Sequence, residues 1–155
     1  MKCIVAYFSA EGKTERYAKT LAEAVHAEQF AIVPELPYTE ADLKWTNPLA
    51  RCNREKLGKK DVPVQGIIEG WEEFDIVFLG FPIWYYGAPN VINTFCKGYD
   101  WTGKKLYLFA TSGGSSIGKT VERLLPYLKG NPEIIGAEVY QSMDKLAVDA
   151  VKLLG

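Results

Sequence analysis

The chain has 155 residues, 48% of them hydrophobic and 13% aromatic, enough for one domain with a substantial core. Eighteen Lys and Arg against 19 Asp and Glu give a formal net charge of −1, so nucleic acid and anionic membranes are not expected partners. No apolar run approaches membrane-spanning length, and the N-terminus reads as a strand without a charged leader, hydrophobic stretch or cleavage site. Cys3, Cys52 and Cys96 are widely spaced and form no C-x-x-C, which argues against a disulfide framework or zinc site and fits a reducing cytoplasm. The single histidine, His26, falls at the end of the first predicted helix, where its charge suits the helix C-terminus. No second histidine is available for a metal site.

In chain order, Lys2–Phe8 opens with an apolar run too short for a helix and rich in residues that suit a buried strand. A turn follows at Ser9–Gly12, then Tyr17, Ala18, Leu21, Ala22 and Val25 recur at helical spacing. Phe30–Glu35 reads as a second strand and Asp75–Phe81 as a buried third. Pro89–Lys97 reads as a helix with Pro89 in its first turn and Val91, Ile92 and Phe95 apolar. Lys105–Ala110 is a fourth strand, and Lys119–Leu128 a helix with Val121, Leu124, Leu125 and Leu128 inward. Ile134–Tyr140 is the last strand. Met143–Leu154 is a final helix that presents Met143, Leu146, Ala147, Ala150, Val151 and Leu154. Alternating strands and helices imply an α/β fold. The expectation is a doubly wound, three-layer sandwich around a five-stranded parallel sheet of order 2-1-3-4-5. No repeat or linker divides the chain, so residues 1–155 read as a single domain.

The irregular stretch is Pro37–Pro63, where a helix between the second and third strands is expected. It is interrupted by Pro48 and Gly58 and carries six positive charges against four negative. Mixed charge of this kind reads as a solvated loop with one helical turn; the sharper reading is a flap meeting an acidic partner or a nucleotide phosphate. Val64–Phe74, with Ile67, Ile68 and Trp71, reads as a short helix before the third strand.

In an open parallel sheet, ligands bind beyond the carboxyl ends of the strands near the switch point. Three loops would meet there. The first, Ser9–Thr14, runs from a strand into a helix start, where free N–H groups and the helix dipole favour an anion and the Ser9 and Thr14 hydroxyls add donors. A plain strand–turn–helix with Thr14 as N-cap is the structural alternative. The second, Pro82–Pro89, places three consecutive aromatics (Trp84, Tyr85 and Tyr86) at a solvent-facing strand end, an arrangement that suits a flat conjugated ring. The third, Thr111–Gly118, is glycine-rich, so its backbone can approach a ligand edge and donate N–H groups. Phosphate donors, an aromatic platform and an N–H-rich loop together describe a flavin mononucleotide site.

At this point the sequence resembles a known family. Tyr7-Phe8-Ser9-x-x-Gly12-x-Thr14, Gly80-Phe81-Pro82-Ile83-Trp84 and Ala110-Thr111-Ser112-Gly113-Gly114-Ser115-x-Ile117-Gly118 resemble the flavodoxins, in particular a short flavodoxin-like branch. Pro89–Trp101 is similar to that branch too, and the resemblance runs through essentially the whole chain in order. It implies a flavodoxin-like fold, FMN as cofactor, and site roles residue by residue. Ser9, Gly12, Lys13 and Thr14 would hold the phosphate through backbone N–H groups and the two hydroxyls. Pro82, Ile83 and Trp84 would flank the ribityl chain and ring, with Trp84 against a ring face. Ser112, Gly113 and Gly114 would lie along the pyrimidine edge, and Tyr85 is a weaker second candidate for ring contact.

Two departures bear on function. Glu11 stands where the family pattern usually has an uncharged residue, and a carboxylate beside a phosphate is repulsive if it points inward. It is expected to face solvent, with Lys13 offsetting part of its field. The near-neutral charge also weakens steering toward a basic redox partner, whereas dedicated flavodoxin carriers are strongly acidic. The expected function is electron transfer between partner proteins through FMN, and the weak steering shifts weight from a dedicated carrier toward a reductase. The alternative is a small NAD(P)H-dependent FMN reductase acting on quinones or similar small acceptors. Either way the protein supplies orientation and electrostatics, with no catalytic acid–base residue, and an apolar aromatic pocket would disfavour negative charge on a reduced ring. A flavin-free interaction module is a third reading.

A rival of another class comes from Gly113-Gly114-Ser115-Ser116-Ile117-Gly118-Lys119-Thr120, which matches the phosphate loop of NTPases. Against it, no second strand ends in a magnesium-binding Asp, since Asp75 begins its strand. A phosphoreceiver domain fails for a related reason: the first and third strands end in Phe8-Ser9 and Phe81-Pro82, not in an Asp.

Overall fold

The computed structural model describes residues 1–36, 38–43, 46–47, 50–52, 55, 62–84, 87–112 and 116–155. Five parallel strands form the main sheet: β1 (Cys3–Tyr7), β2 (Glu28–Ala31), β5 (Ile76–Pro82), β6 (Lys105–Thr111) and β7 (Glu133–Tyr140). Their order is β2-β1-β5-β6-β7, the expected 2-1-3-4-5 among the sheet's own strands. Two further short strands, β3 (Val33–Pro34) and β4 (Val64–Gln65), pair antiparallel beside it.

Alternation along the strands builds the two faces. Ile4, Ala6 and Phe8, Val77, Leu79 and Phe81, and Leu106, Leu108 and Ala110 all lie in one core, with α2 (Asn90–Lys97) and α3 (Thr120–Leu124). Cys3, Val5, Tyr7, Ile76, Phe78, Tyr107 and Phe109 lie in the other, beneath α1 (Lys13–Val25) and α4 (Met143–Leu154). Strands apolar on both faces are what a sheet covered on both sides requires. The three layers follow. Burying one large side chain such as Leu79 or Phe81 contributes about 1.5–3 kcal/mol, and both are fully buried here.

Several elements differ from the sequence-based expectation, each for a local reason. The second strand runs over Glu28–Ala31, not Phe30–Glu35. As an edge strand it pairs only with β1 and stays largely exposed, so it shows no apolar run. Ile32 closes the ladder by donating its N–H to the Tyr7 carbonyl, and the chain then turns into β3. Val64–Phe74 is not a helix: β4 is followed by a single 3-10 turn at Trp71–Glu73, which Gly70 enters at φ 68°. The helix expected at Lys119–Leu128 stops at Leu124 and becomes a 3-10 turn over Leu125–Tyr127, because Pro126 has no N–H to continue the ladder. Leu125 is consequently 46% exposed, whereas Leu124 and Leu128 are buried. On α4, Leu146 and Ala150 are buried, but Met143 and Val151 are exposed at 37% and 49%.

The 37–63 segment is not simply a solvated loop. Among its described residues, Ala41–Leu43 forms a 3-10 turn, Arg51, Cys52 and Glu55 are helical, and Ala50 and Cys52 are buried. Its Lys44, Arg54, Lys56, Lys59, Lys60 and Asp61 lie outside the described residues. His26 ends α1 in the left-handed conformation, φ 55°, its backbone N–H donated to Ala22. All three cysteines are buried, and burial pushes the Cys96 thiol pKa up. Among the described residues no helix is long and apolar enough to cross a membrane, and no His, Cys, Asp or Glu cluster is arranged for a metal ion.

Candidate functional site

The carboxyl edge of the sheet gathers the three loops. At the first, β1 ends at Tyr7 and α1 begins at Lys13, with Gly12 as N-cap in the left-handed region at φ 93°. No side chain caps this helix, so N–H groups of its first turn face the loop without a side-chain acceptor. Ser9 Oγ instead accepts the Gly12 N–H at 3.0 Å, which folds the turn and leaves the serine proton to be donated outward. Thr14 is not the N-cap. Its hydroxyl is buried and paired with the Thr111 hydroxyl at 2.8 Å, at the end of β6.

The second loop leaves β5 at Pro82. The Ile83 N–H is donated to the Thr111 carbonyl at 3.0 Å, tying this loop to the third. Trp84 and Gly87 exchange backbone hydrogen bonds of 2.8 and 3.2 Å, which fixes Trp84 at the base of the loop. The indole is half-buried and meets Phe8 edge-on at 5.9 Å. Tyr38 meets the same indole at 5.5 Å, also perpendicular, and lies 5.7 Å from Phe8. Such edge-to-face geometry satisfies the ring quadrupoles and fixes the orientation of the indole.

Tyr38 is the residue that sequence reasoning missed. The Arg51 guanidinium lies over its ring at 4.1 Å, and its hydroxyl donates to the Glu55 carboxylate. Arg51 Nε bonds Glu55 at 2.8 Å, and one of its terminal nitrogens donates to the Leu36 carbonyl at 2.6 Å. Burial and the Glu55 carboxylate push the Tyr38 phenol far above its usual range, so it remains protonated. An aromatic and an Arg within a polar, Pro-interrupted stretch give no periodic signal; only the tertiary contact identifies them. A cleft of about 650 Å³ opens beside this wall, lined by Ala10, Glu11, Tyr38, Thr39, Glu40, Leu43 and Thr46. Glu11, expected to face solvent, is exposed and is one of the residues that line this cleft.

At the third loop, Ser112 follows β6 directly. Its carbonyl accepts from Lys13 Nζ at 3.4 Å and from Gln141 Nε2 at 2.9 Å. Of the predicted site residues, Ser9, Gly12, Lys13, Thr14, Pro82, Ile83, Trp84 and Ser112 lie on the three loops at this one edge. Tyr85, Gly113 and Gly114 lie outside the described residues. Thr111 and Gln141 also proved to be part of the framework. Their only sequence signal was position, at the end of a strand.

The NTPase motif does not find its machinery. α3 has five residues, and the Thr120 side chain, fully buried, donates its hydroxyl to the Ile117 carbonyl instead of facing a metal. Asp75 sits at the opposite edge, where its carboxylate accepts the Lys2 N–H at 2.9 Å.

A five-stranded parallel sheet of this order, with helices on both faces and its loops gathered at the carboxyl edge, defines a doubly wound α/β protein. The model of the flavodoxin family matches residues 2–147, and the chain belongs to that family. No curated protein matches it. Among solved structures, it is similar to a candidate flavoprotein from Bacteroides eggerthii, with 34% identity over 99% of this chain and 98% of that one and a TM-score of 0.87. A second, from Bacteroides uniformis, is 36% identical, with 97% of each chain covered and a TM-score of 0.81. A flavoprotein in complex with FMN from Lactobacillus acidophilus shares the fold, at 20% identity, 94% and 98% coverage and a TM-score of 0.67.

Proposed function

We propose that this protein binds FMN at the carboxyl edge of its sheet and serves as an electron-transfer flavoprotein. The observation that carries the reading is the uncapped start of α1 set on the same edge as the Trp84–Phe8–Tyr38 wall. These residues fit the group: backbone donors and the Ser9 hydroxyl suit a phosphate dianion, and the aromatic wall suits a flat conjugated ring. The family relationship and the FMN complex of the Lactobacillus acidophilus flavoprotein support it.

Bound FMN supplies one- and two-electron redox chemistry. The chain's own work is to bind, orient and shield. The N–H groups of the first turn of α1 and the Ser9 hydroxyl hold the anion, and Gly12 lets the backbone turn sharply enough to aim them. Trp84, braced edge-on by Phe8 and Tyr38, covers apolar ligand surface and keeps water from it. The protonated Tyr38 phenol, bound to Glu55, places no further negative charge on the wall.

The test is titration of the flavin-free protein with FMN, followed by fluorescence. Tight binding with quenched flavin emission is expected, and Trp84→Ala should weaken it about tenfold, the loss of roughly 1.4 kcal/mol of ring contact. A protein that takes up no FMN overturns the reading. The net charge of −1 favours a second reading, an NAD(P)H-dependent reductase passing electrons to quinones or similar acceptors, because it offers little steering toward a basic protein partner. Oxidation of NAD(P)H by the FMN-loaded protein alone would select that reading; no turnover without a partner reductase would select the carrier.

A further inference from the structure

Lys13 belongs to two loops at once. Its backbone is the first residue of α1, but its ammonium reaches Ser112 at the root of the third loop, 3.4 Å from the carbonyl. The same carbonyl takes a second donor, Gln141 Nε2, at 2.9 Å. One residue on, Thr14 pairs with Thr111 at 2.8 Å. Consecutive residues of one helical turn therefore hold consecutive residues at the end of β6. The sequence from Ser112 to Gly118 contains three glycines, and glycine loses more conformational freedom on ordering than any other residue. A stretch of this composition presents its N–H groups usefully only if its ends are fixed. At the far end, Thr120 donates both its hydroxyl and its N–H to the Ile117 carbonyl. At the near end, the fixing groups are Lys13 and Gln141.

We infer that the Lys13 side chain is a positioning residue for the root of the third loop at Ser112 and is not a ligand of the cofactor phosphate. Its backbone N–H remains with the anion-binding turn, while its charge serves the loop that meets the non-phosphate part of the ligand. This rests on the FMN reading for its ligand side, and on the hydrogen bonds alone for its structural side.

The test compares the wild type, Lys13→Met, Lys13→Arg and Gln141→Ala in two measurements. The first is the affinity of each protein for FMN and for riboflavin, which lacks the phosphate. Lys13→Met should weaken both flavins by the same factor, about fivefold for one charged hydrogen bond, and Lys13→Arg should restore both. Weaker FMN binding with unchanged riboflavin binding would make the side chain a phosphate ligand and overturn the inference. The second is amide hydrogen exchange across 110–118 in the flavin-free proteins. Lys13→Met and Gln141→Ala should each speed exchange there, and unchanged exchange in Lys13→Met overturns the inference. A wild type that takes up neither flavin removes the FMN reading, while the exchange measurement still decides the role of Lys13.

Discussion

The hydroxyl pair of Thr14 and Thr111 shows how one residue's role changes between sequence and structure. In the sequence Thr14 is an anion donor or a helix cap; in the fold it is only 2% exposed, and its oxygen is 2.8 Å from that of Thr111. Thr14→Val keeps the shape and deprives Thr111 of that partner, so unfolding free energy should fall by about 1–3 kcal/mol. The double variant Thr14→Val/Thr111→Val should be less destabilised than the sum of its single variants, because no hydroxyl remains to be satisfied. Denaturant midpoints of the three variants check this; simple additivity would mean the pair is not an interaction.

Among the elements, β5 is closely packed. It lies between β1 and β6, and at Gly80 the Phe109 ring occupies the space a side chain would take, so that a Cβ would stand 2.1 Å from a ring carbon. Gly80→Ala must push that ring aside. The expected loss is about 3 kcal/mol, seen as a lowered melting temperature, and Phe109→Leu in the same chain should recover part of it. A Gly80→Ala variant as stable as the wild type would mean the sheet adjusts at no cost. The opposite edge of the sheet is closed by its own polar groups. Lys104, only 6% exposed, donates to the carbonyls of Trp71 and Phe74 at 2.8 and 2.6 Å, and burial lowers its pKa. At the carboxyl edge, by contrast, no side chain caps the start of α1.

For the molecule as a whole, acid stability has an identifiable contributor at the packing of α4 on β7. Tyr140, whose hydroxyl pairs with that of Tyr107, donates to the Asp149 carboxylate at 2.8 Å. That bond, with Lys145 behind it, holds the Asp149 carboxyl below its ordinary range. A carboxyl depressed in the folded state adds stability above its unfolded value of about 3.9, and that contribution is lost as pH falls through the folded value. Asp149→Asn should therefore lower stability at neutral pH and flatten its dependence below about pH 4. Parallel stability curves for variant and wild type across that range would exclude the linkage.

The sequence by itself determined the sheet order, the buried strands and the position of the three loops. Those features rest on local periodicity, on turn residues and on the rule that parallel strands need crossovers, all of which act over a few residues or constrain the whole chain. It misplaced the bounds of β2, whose edge position leaves it polar, and missed the early end of α3, where Pro126 outweighs an apolar pattern. Only the tertiary structure brought Tyr38 onto Trp84 under the clamp of Arg51 and Glu55, and only it turned the Lys13 ammonium to Ser112. Lys13 and Ser112 stand 99 positions apart, and nothing local in the chain encodes their contact. Such contacts exist because the parallel sheet delivers the ends of distant strands to one edge, where side chains pair with whatever the topology sets opposite.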